Sequence, residues 1–341
     1  MSSATVLLNG IHSPSFPVTV GMRQGSVLSP TLFNIFLNDL LCELKEAQYG
    51  LRVFNTFVNS TAYADDVTLL SSTVTGLQNL INICQSYATK FRFRFGFAKS
   101  KCLIIGKGVI HNEPRWMLGN NKITVESAID ILGVTFESNH SYNAHTESRL
   151  ACCRRRIYGL TSVGMCYPGL SSDVKAYLWK VIGAPTLTYG MESVNLTSKN
   201  IKLLKSGHGT IMKRVMGFSK RSRTQPLLQA LSVLPVTDVI AKNTVNLYTR
   251  IFQCRSPAQE LQSKFLANYM ASRKVVKGTM IHRIISLGLS PANVALNNVK
   301  LPKLSQDNGA TDSLKYLIYH DNFIKPNSNE HFLASLLLKA F

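Results

Sequence analysis

The sequence predicts an α+β protein in which an antiparallel sheet with helices on one face precedes a mostly α-helical region. Over residues 1–140, short runs of β-branched and aromatic residues alternate with amphipathic helical segments. From about residue 145, apolar residues recur every three or four positions, which is typical of packed helices. The 341 residues, of which 45% are hydrophobic, are sufficient for two such units.

The first long helix is predicted to begin at Ser29, with Ser29 as the N-cap and Pro30 as the first helical residue. The apolar residues that follow fall on one helical face, namely Leu32, Phe33, Phe36, Leu37, Leu40 and Leu41. A loop that carries Arg23 and Gln24 between two glycines leads into this helix.

The segment Tyr63-Ala64-Asp65-Asp66 lies between two strand-like runs, residues 53–58 and 67–70. β-Branched and aromatic residues favour strands on both sides, and the polar pair favours a tight turn. Such a hairpin holds two carboxylates side by side, and their repulsion is relieved when a cation binds. A pair of divalent ions would do so, and paired metals promote in-line phosphoryl displacement. Taken alone, the segment is equally compatible with a solvated turn.

In this order, the segments at residues 21–40 and 63–66 resemble the palm of reverse transcriptases, specifically those of non-LTR (LINE-type) retrotransposons. The resemblance implies that Asp65 and Asp66 are catalytic and hold Mg²⁺ or Mn²⁺. It also implies a nucleotide and template pocket formed by Arg23, Gln24, Gly25, Tyr63 and Ala64. The partners that it implies are an RNA template, a DNA primer and dNTPs.

Three further segments resemble the same family. Residues 95–106 resemble its next palm segment, with Gly96 where Asn is more frequent. The resemblance assigns Lys99 to protonation of the pyrophosphate leaving group, although a lysine that ends a loop before a strand is as good an explanation. Residues 131–134 resemble the small hairpin that grips the primer, and residues 189–192 resemble the connection to the thumb.

One carboxylate of the family pattern has no counterpart in the sequence. The family uses a further acidic residue on a strand before the loop at Arg23, whereas the first acidic residue here is Asp39, predicted on the polar side of the first helix. The resemblance therefore implies a chain that begins inside the palm, without fingers, the first metal-binding strand or an endonuclease domain. We expect weak or no polymerase activity, because a lost bridging carboxylate costs several kcal/mol of transition-state stabilisation.

The net charge of +20 and the pI of about 9.8 agree with a nucleic-acid partner. Residues 101–341 carry +18 of this charge, and polyanion binding is driven largely by counterion release. Contacts to the primer–template backbone are expected from Arg154, Arg155, Arg156, Lys213 and Arg214. The same residues are also compatible with a solvated helix face or a nuclear localisation signal.

The resulting organisation has three parts: a partial palm (1–140), a helical thumb and connection region (145–255) and a helical C-terminal region of unknown role (256–341). A helix over 173–182, ended or kinked by Pro185, is predicted to carry an apolar stripe of Val174, Tyr177, Leu178, Val181 and Ile182.

The cysteine pattern and the lack of a signal peptide or spanning segment indicate the cellular compartment and argue against a cysteine metal site. The seven cysteines include no C-x-x-C pair and are expected to be buried, reduced thiols. No signal peptide or spanning segment is evident, so a nuclear or cytoplasmic protein without a membrane partner is expected.

The sequence leaves two functions open. One is a segment of an RNA-directed DNA polymerase. The other is a non-catalytic nucleic-acid-binding remnant or domesticated protein.

Overall fold

The structure is a computed structural model that describes residues 2–18, 21, 25–54, 56–106, 114–275, 279–296 and 333–339. Two short antiparallel ladders come first: β1 (Ser2–Ala4) pairs with β4 (Phe16–Val18), and β2 (Leu7–Leu8) pairs with β3 (Ile11–His12). Helix α1 (Ser29–Glu46) follows and begins at Ser29, but its N-cap is Leu28. The prediction of Ser29 as the N-cap is therefore wrong by one residue.

A five-stranded sheet forms the centre of the first half of the chain. In spatial order its strands are β12 (Thr124–Glu126), β9 (Lys101–Ile105), β15 (Leu333–Lys339), β8 (Asp66–Ser71) and β7 (Ser60–Tyr63). Three of the four ladders are antiparallel, whereas β12 and β9 are parallel. The sheet is therefore mixed, and the prediction of a purely antiparallel sheet is wrong at the β9–β12 edge.

Helices α1 and α2 (Val74–Lys90) pack together on one face of this sheet. Leu40 of α1 and Leu80 of α2 are fully buried with Val67 and Leu69 of β8. Burial of each such side chain contributes about 1.5–3 kcal/mol to stability. The predicted apolar face of α1 is confirmed except at Leu32, which is 53% exposed.

A hairpin covers part of the opposite face of the sheet. Its strands are β13 (Ala128–Ile131) and β14 (Val134–Glu137), and Leu132 and Gly133 form the turn between them. Ile129 of this hairpin packs against Leu103 and Ile105 of β9. Because side chains alternate along a strand, these residues lie on the face away from α2. The hairpin predicted at residues 131–134 is confirmed.

The strand predicted over residues 53–58 is interrupted at Phe54, and its strand residues, Val53 and Thr56–Val58, do not form the ladder with β8. Phe54 has a φ of 53°, and this turn separates β5 (Leu51–Val53) from β6 (Thr56–Val58), which pair with each other in a separate two-stranded sheet. The strand paired with β8 is β7, whose sequence Ser-Thr-Ala-Tyr is less apolar. A further small hairpin, β10 (Met117–Leu118) with β11 (Asn121–Lys122), follows β9 in the chain.

The helices that follow pack around a second core. The long ones are α3 (Asn143–Gly159), α6 (Ser198–Val215) and α8 (Val236–Gln253). The short ones are α4 (Ser172–Leu178), α5 (Ala184–Thr188) and α7 (Thr224–Ala230). Leu150, Cys153 and Ile157 of α3 and Leu204 and Ile211 of α6 are buried there, as their spacing predicts.

The apolar stripe predicted over residues 174–182 is confirmed at Leu178 and Ile182, which pack against the second core, and wrong at its other three positions. Val174, Tyr177 and Val181 are 43%, 65% and 53% exposed, whereas Ala176 and Trp179 are buried. A π-helical segment (Trp179–Gly183) joins α4 to α5, and such a widened turn changes the direction of the side chains after it. The helix also continues through Pro185 to Thr188 instead of ending there.

Three helices complete the described helical region: α9 (Pro257–Ser272), α10 (Met280–Ser286) and α11 (Pro291–Ala295). They pack on α8 around a third core that includes Tyr248, Ile284 and Val294. Strand β15 then lies between β8 and β9, within a region predicted to be helical. No helix in these described segments is both long and apolar enough to cross a bilayer.

The cysteines are free, and only some of them are buried as expected. Burial raises the pKa of the thiols of Cys84, Cys102 and Cys153 to about 12, so these three are unreactive. Cys42 and Cys254 are exposed, which contradicts the expectation for these two.

Candidate nucleotide and metal site

The two adjacent carboxylates lie at the turn of the β7–β8 hairpin. Tyr63 pairs with Asp66 at the last position of the ladder, so Ala64 and Asp65 form a two-residue turn. Ala64 has a φ of 50°, and turns of this length require the left-handed region at the first central position. The predicted hairpin with the carboxylates at its tip is confirmed, although its upstream strand is shorter and later than predicted.

Alternation along β8 determines which side of the sheet carries Asp66. Val67 and Leu69 point into the core beneath α1 and α2. Asp66 and Thr68 therefore lie on the opposite face, which the two helices do not cover. Asp66 is half-buried, whereas Asp65 and Tyr63 are exposed. Both carboxylates are therefore accessible at the turn end of this face, whereas farther along β8 the same face is covered, since Thr68 is 5% exposed. We call the uncovered turn end the open face of the sheet.

The strand register brings Lys99 to the same edge of the sheet as the carboxylates. Leu337 of β15 pairs with Thr68 of β8 and with Lys101 of β9. Lys99 comes two residues before Lys101 and thus lies near the level of Asp66, about two strand spacings (~9.5 Å) away. Lys99 is exposed at the end of a short 3-10 turn (Phe97–Lys99). This position suits a cation that acts on a ligand bound beside the carboxylates.

The loop before α1 is described only at its ends. Arg23 and Gln24 lie outside the described residues, so their predicted roles in the pocket stay predictions. Gly21 and Gly25 have φ values of 100° and 84°, a region that favours glycine. Gly25 is exposed, and among the described residues no atom lies within 4 Å of the position that a Cβ would take there.

The two basic clusters predicted separately meet at one surface. The Arg214 guanidinium lies 4.4 Å from the ring centroid of Tyr158, which joins the C-terminal end of α6 to that of α3. Arg154 and Arg155 are exposed on the same end of α3. We call Arg154, Arg155 and Arg214 the basic surface.

Two of the predicted phosphate-contacting residues also have structural contacts. Arg156 donates a hydrogen bond from Nη1 to Oγ1 of Thr186 at 3.0 Å. Lys213 donates from Nζ to the carbonyl of Lys220 at 3.2 Å. Both side chains therefore hold neighbouring backbone or helices in place, whether or not they also contact a ligand.

A junction between His145 and Tyr189 was not predicted from the sequence. The N–H of Thr135 donates to Nδ1 of His145 at 3.2 Å, and Nε2 of His145 lies 3.1 Å from the carbonyl of Tyr189. A single histidine without a local pattern gives no signal in a sequence. The only signal on either side of the junction is the segment at residues 189–192, which resembles the connection to the thumb.

The part of the chain that contains this site is similar to a known protein family. Residues 4–136 match the family model described as reverse transcriptase (RNA-dependent DNA polymerase). This range contains the loop before α1, the carboxylate hairpin, Lys99 and the β13–β14 hairpin.

The matched relatives are polymerases of mobile elements. The chain is 23% identical over 240 residues to the RNA-directed DNA polymerase from mobile element jockey of Drosophila melanogaster, covering 68% of this chain and 26% of that protein. It is 26% identical over 206 residues to the Pol polyprotein from the type-1 retrotransposable element R2 of Popillia japonica, covering 57% of this chain and 32% of the relative. The chain thus spans about a quarter to a third of the length of these relatives. The predicted resemblance to LINE-type reverse transcriptases is confirmed.

Proposed function

We propose that this chain is a segment of a retrotransposon RNA-directed DNA polymerase that binds primer–template and nucleotide at the open face of its sheet. The observation that carries the proposal is the position of Asp66 on the face that α1 and α2 leave uncovered. Asp65 belongs to the same turn, and Lys99 lies at the same edge. In this proposal the substrates are a DNA primer, an RNA template and dNTPs.

The carboxylates fit a divalent ion of the Mg²⁺ or Mn²⁺ type. Carboxylate oxygens are the ligands that these ions prefer, and Mg²⁺ is commonly held by one or two carboxylates together with substrate phosphates and water. Asp65 and Asp66 would hold the ion, and an accessible pair at a turn leaves its remaining positions open to phosphate. A bound ion would neutralise the charge that develops on the phosphates.

The remaining roles belong to the chain's own side chains. Lys99 carries three protons on Nζ and can donate one to the leaving pyrophosphate from its position at the sheet edge. Gly25 leaves room for close approach of a ligand to the backbone. Tyr63 is 68% exposed beside the carboxylates and can pack against a sugar or base.

The basic surface supports contact with the phosphate backbone of the primer–template duplex. Arg154, Arg155 and Arg214 present guanidinium groups at one end of the helical region, and guanidinium pairs well with phosphate oxygens. Stacking of Arg214 on Tyr158 orders that side chain before a ligand binds. Binding of this kind positions a duplex without reading its sequence.

A second candidate function is nucleic-acid binding without catalysis. The observation that favours it is the number of carboxylates: within the described residues, no group of three or more His, Cys, Asp or Glu side chains could hold a metal. Two carboxylates without a third provide less transition-state stabilisation than a complete two-metal site. We therefore expect weak polymerase activity at most from this chain.

Primer extension tests the proposal and separates the two candidates. The purified chain is incubated with an RNA template, a DNA primer, dNTPs and Mg²⁺, and single-nucleotide additions are counted. The polymerase proposal predicts slow additions that Asp65→Ala or Asp66→Ala abolishes and that Asp39→Ala, which alters an exposed acidic residue on α1, leaves unchanged. Binding of primer–template with no addition at any metal concentration would favour the non-catalytic candidate. Failure of the chain to bind primer–template would refute both.

A further inference from the structure

The β13–β14 hairpin is held on two sides by different parts of the molecule. Ile129 near its base packs on Leu103 and Ile105 of the sheet. Its tip, Leu132 and Gly133, is exposed and reaches the end of α5 instead. The position of the tip relative to the sheet therefore depends on contacts with the helical region.

Tyr189, the residue directly after α5, makes the first of these contacts. Its hydroxyl donates a hydrogen bond to the carbonyl of Leu132 at 2.8 Å. Its ring also fills the space beside Gly133, where an added Cβ would lie 3.3 Å from Cε1 of Tyr189. The Arg149 guanidinium lies 5.4 Å from the centroid of the same ring and further restricts it.

His145 makes the second contact and fixes its own tautomer by doing so. Since Nδ1 accepts the N–H of Thr135, the proton of the neutral ring is on Nε2, which donates to the carbonyl of Tyr189. The ring is fully buried. One imidazole thus joins β14 of the hairpin to the residue that holds the hairpin tip.

Close packing leaves little freedom in this junction. Gly190 has a φ of 75°, and a Cβ at this position would lie 2.6 Å from Cγ2 of Val134 and 3.2 Å from Nε2 of His145. The backbone after Tyr189 therefore approaches the hairpin as closely as a glycine allows. A displacement of the backbone at Gly190 toward the hairpin would therefore press on Val134 and His145.

We propose that Tyr189 and His145 are positioning residues that fix the hairpin tip, Leu132–Gly133, where it meets the primer strand. This inference rests on the proposed function and on the resemblance of residues 131–134 to the small hairpin that grips the primer. Neither side chain needs to touch nucleic acid. Both act by fixing the carbonyl of Leu132 and the N–H of Thr135, so the tip is already in place when a duplex arrives.

The test compares Tyr189→Phe with Tyr167→Phe, which removes the hydroxyl of an exposed tyrosine elsewhere on the surface. Affinities are measured for a primer–template duplex and for the same RNA template without primer. Loss of the hydrogen bond to Leu132 should weaken duplex binding about tenfold, the equivalent of roughly 1.4 kcal/mol. Template-only binding should stay unchanged. Tyr167→Phe should match the unmodified chain in both assays.

Hydrogen exchange gives an independent readout at the junction itself. The amide of Thr135 should exchange faster in Tyr189→Phe and in His145→Leu, whereas His145→Asn, which keeps an acceptor near the Nδ1 position, should restore protection. Equal loss of duplex and template-only binding in Tyr189→Phe would overturn the inference, and so would unchanged duplex binding. Failure of the unmodified chain to bind duplex would refute the proposed function itself. Normal duplex binding by both the unmodified chain and Tyr189→Phe would refute only the role of Tyr189.

Discussion

The stability of this protein should fall steeply in mild acid because of His208. This side chain is 2% exposed and stacks on Trp179, with ring centroids 4.6 Å apart and planes 6° from parallel. Its Nε2 has no hydrogen-bond partner among the described residues. Burial lowers the pKa of His208 from 6.5 to about 4, because the charged ring would lose its hydration without a compensating contact.

The sign and size of the effect follow from proton linkage. In the unfolded chain the imidazole becomes protonated below a pKa of about 6.5, whereas in the folded chain it stays neutral until about pH 4. The unfolded state is therefore favoured progressively as pH falls through this window. The difference between the unfolded-state and folded-state pKa of His208 corresponds to about 3 kcal/mol of unfolding free energy, at roughly 1.4 kcal/mol for each pKa unit. About 2 kcal/mol of it should be lost between pH 7 and pH 4.5.

Replacing His208 by Phe keeps an aromatic ring against Trp179 and removes the titrating group. Urea unfolding at pH 7 and pH 4.5 measures the loss for this variant and for the unmodified chain. We expect the decrease in unfolding free energy between pH 7 and pH 4.5 to be about 2 kcal/mol smaller in His208→Phe than in the unmodified chain. The decrease should be unchanged in His140→Phe, which alters an exposed histidine. An equal pH dependence in all three proteins would refute the reasoning.

Two further predictions concern the hairpin junction and the basic surface. In urea unfolding, Gly190→Ala should destabilise the protein by about 1–3 kcal/mol more than Gly217→Ala. Both glycines have a φ of 75°, but of the two only Gly190 has a described neighbour, Val134, close to the position of an added Cβ. Equal destabilisation by the two substitutions would show that a clash with Val134 has no effect. Arg154→Gln with Arg155→Gln should reduce the slope of log affinity for duplex against log salt concentration by about 2, and an unchanged slope would remove both residues from the interface.

Local periodicity made much of the fold predictable. The buried faces of α2, α3 and α6 follow from apolar spacing, because a helical face is set by residues three or four apart. The second hairpin was predicted only by the resemblance of residues 131–134 to a family hairpin, because the bare sequence is equally compatible with a buried strand; in the structure its turn places Gly133 at a φ of 76°. The carboxylates and Lys99 were predicted by a resemblance whose motifs follow each other closely in the chain.

The errors occurred where long-range packing determined the local structure. Residues 53–58 have higher β-propensity than residues 60–63, yet β7 pairs with β8 because a turn at Phe54 diverts the earlier run into its own hairpin. The helical segment over residues 172–183 packs on the second core through Ala176 and Trp179, which leaves Val174, Tyr177 and Val181 of the predicted stripe exposed. The junction of His145 with Tyr189 spans 44 residues in sequence, and no local pattern in the sequence encodes it.

The central claim is that the turn at Asp65 and Asp66 binds a divalent ion on the open face of the sheet. Mn²⁺ binding, followed by electron paramagnetic resonance in the presence of primer–template and dNTP, tests this claim most directly. We predict that the unmodified chain binds Mn²⁺ under these conditions and that Asp65→Asn combined with Asp66→Asn abolishes binding while duplex affinity is retained. Equal Mn²⁺ binding by the double variant, or no binding by the unmodified chain, would contradict the account.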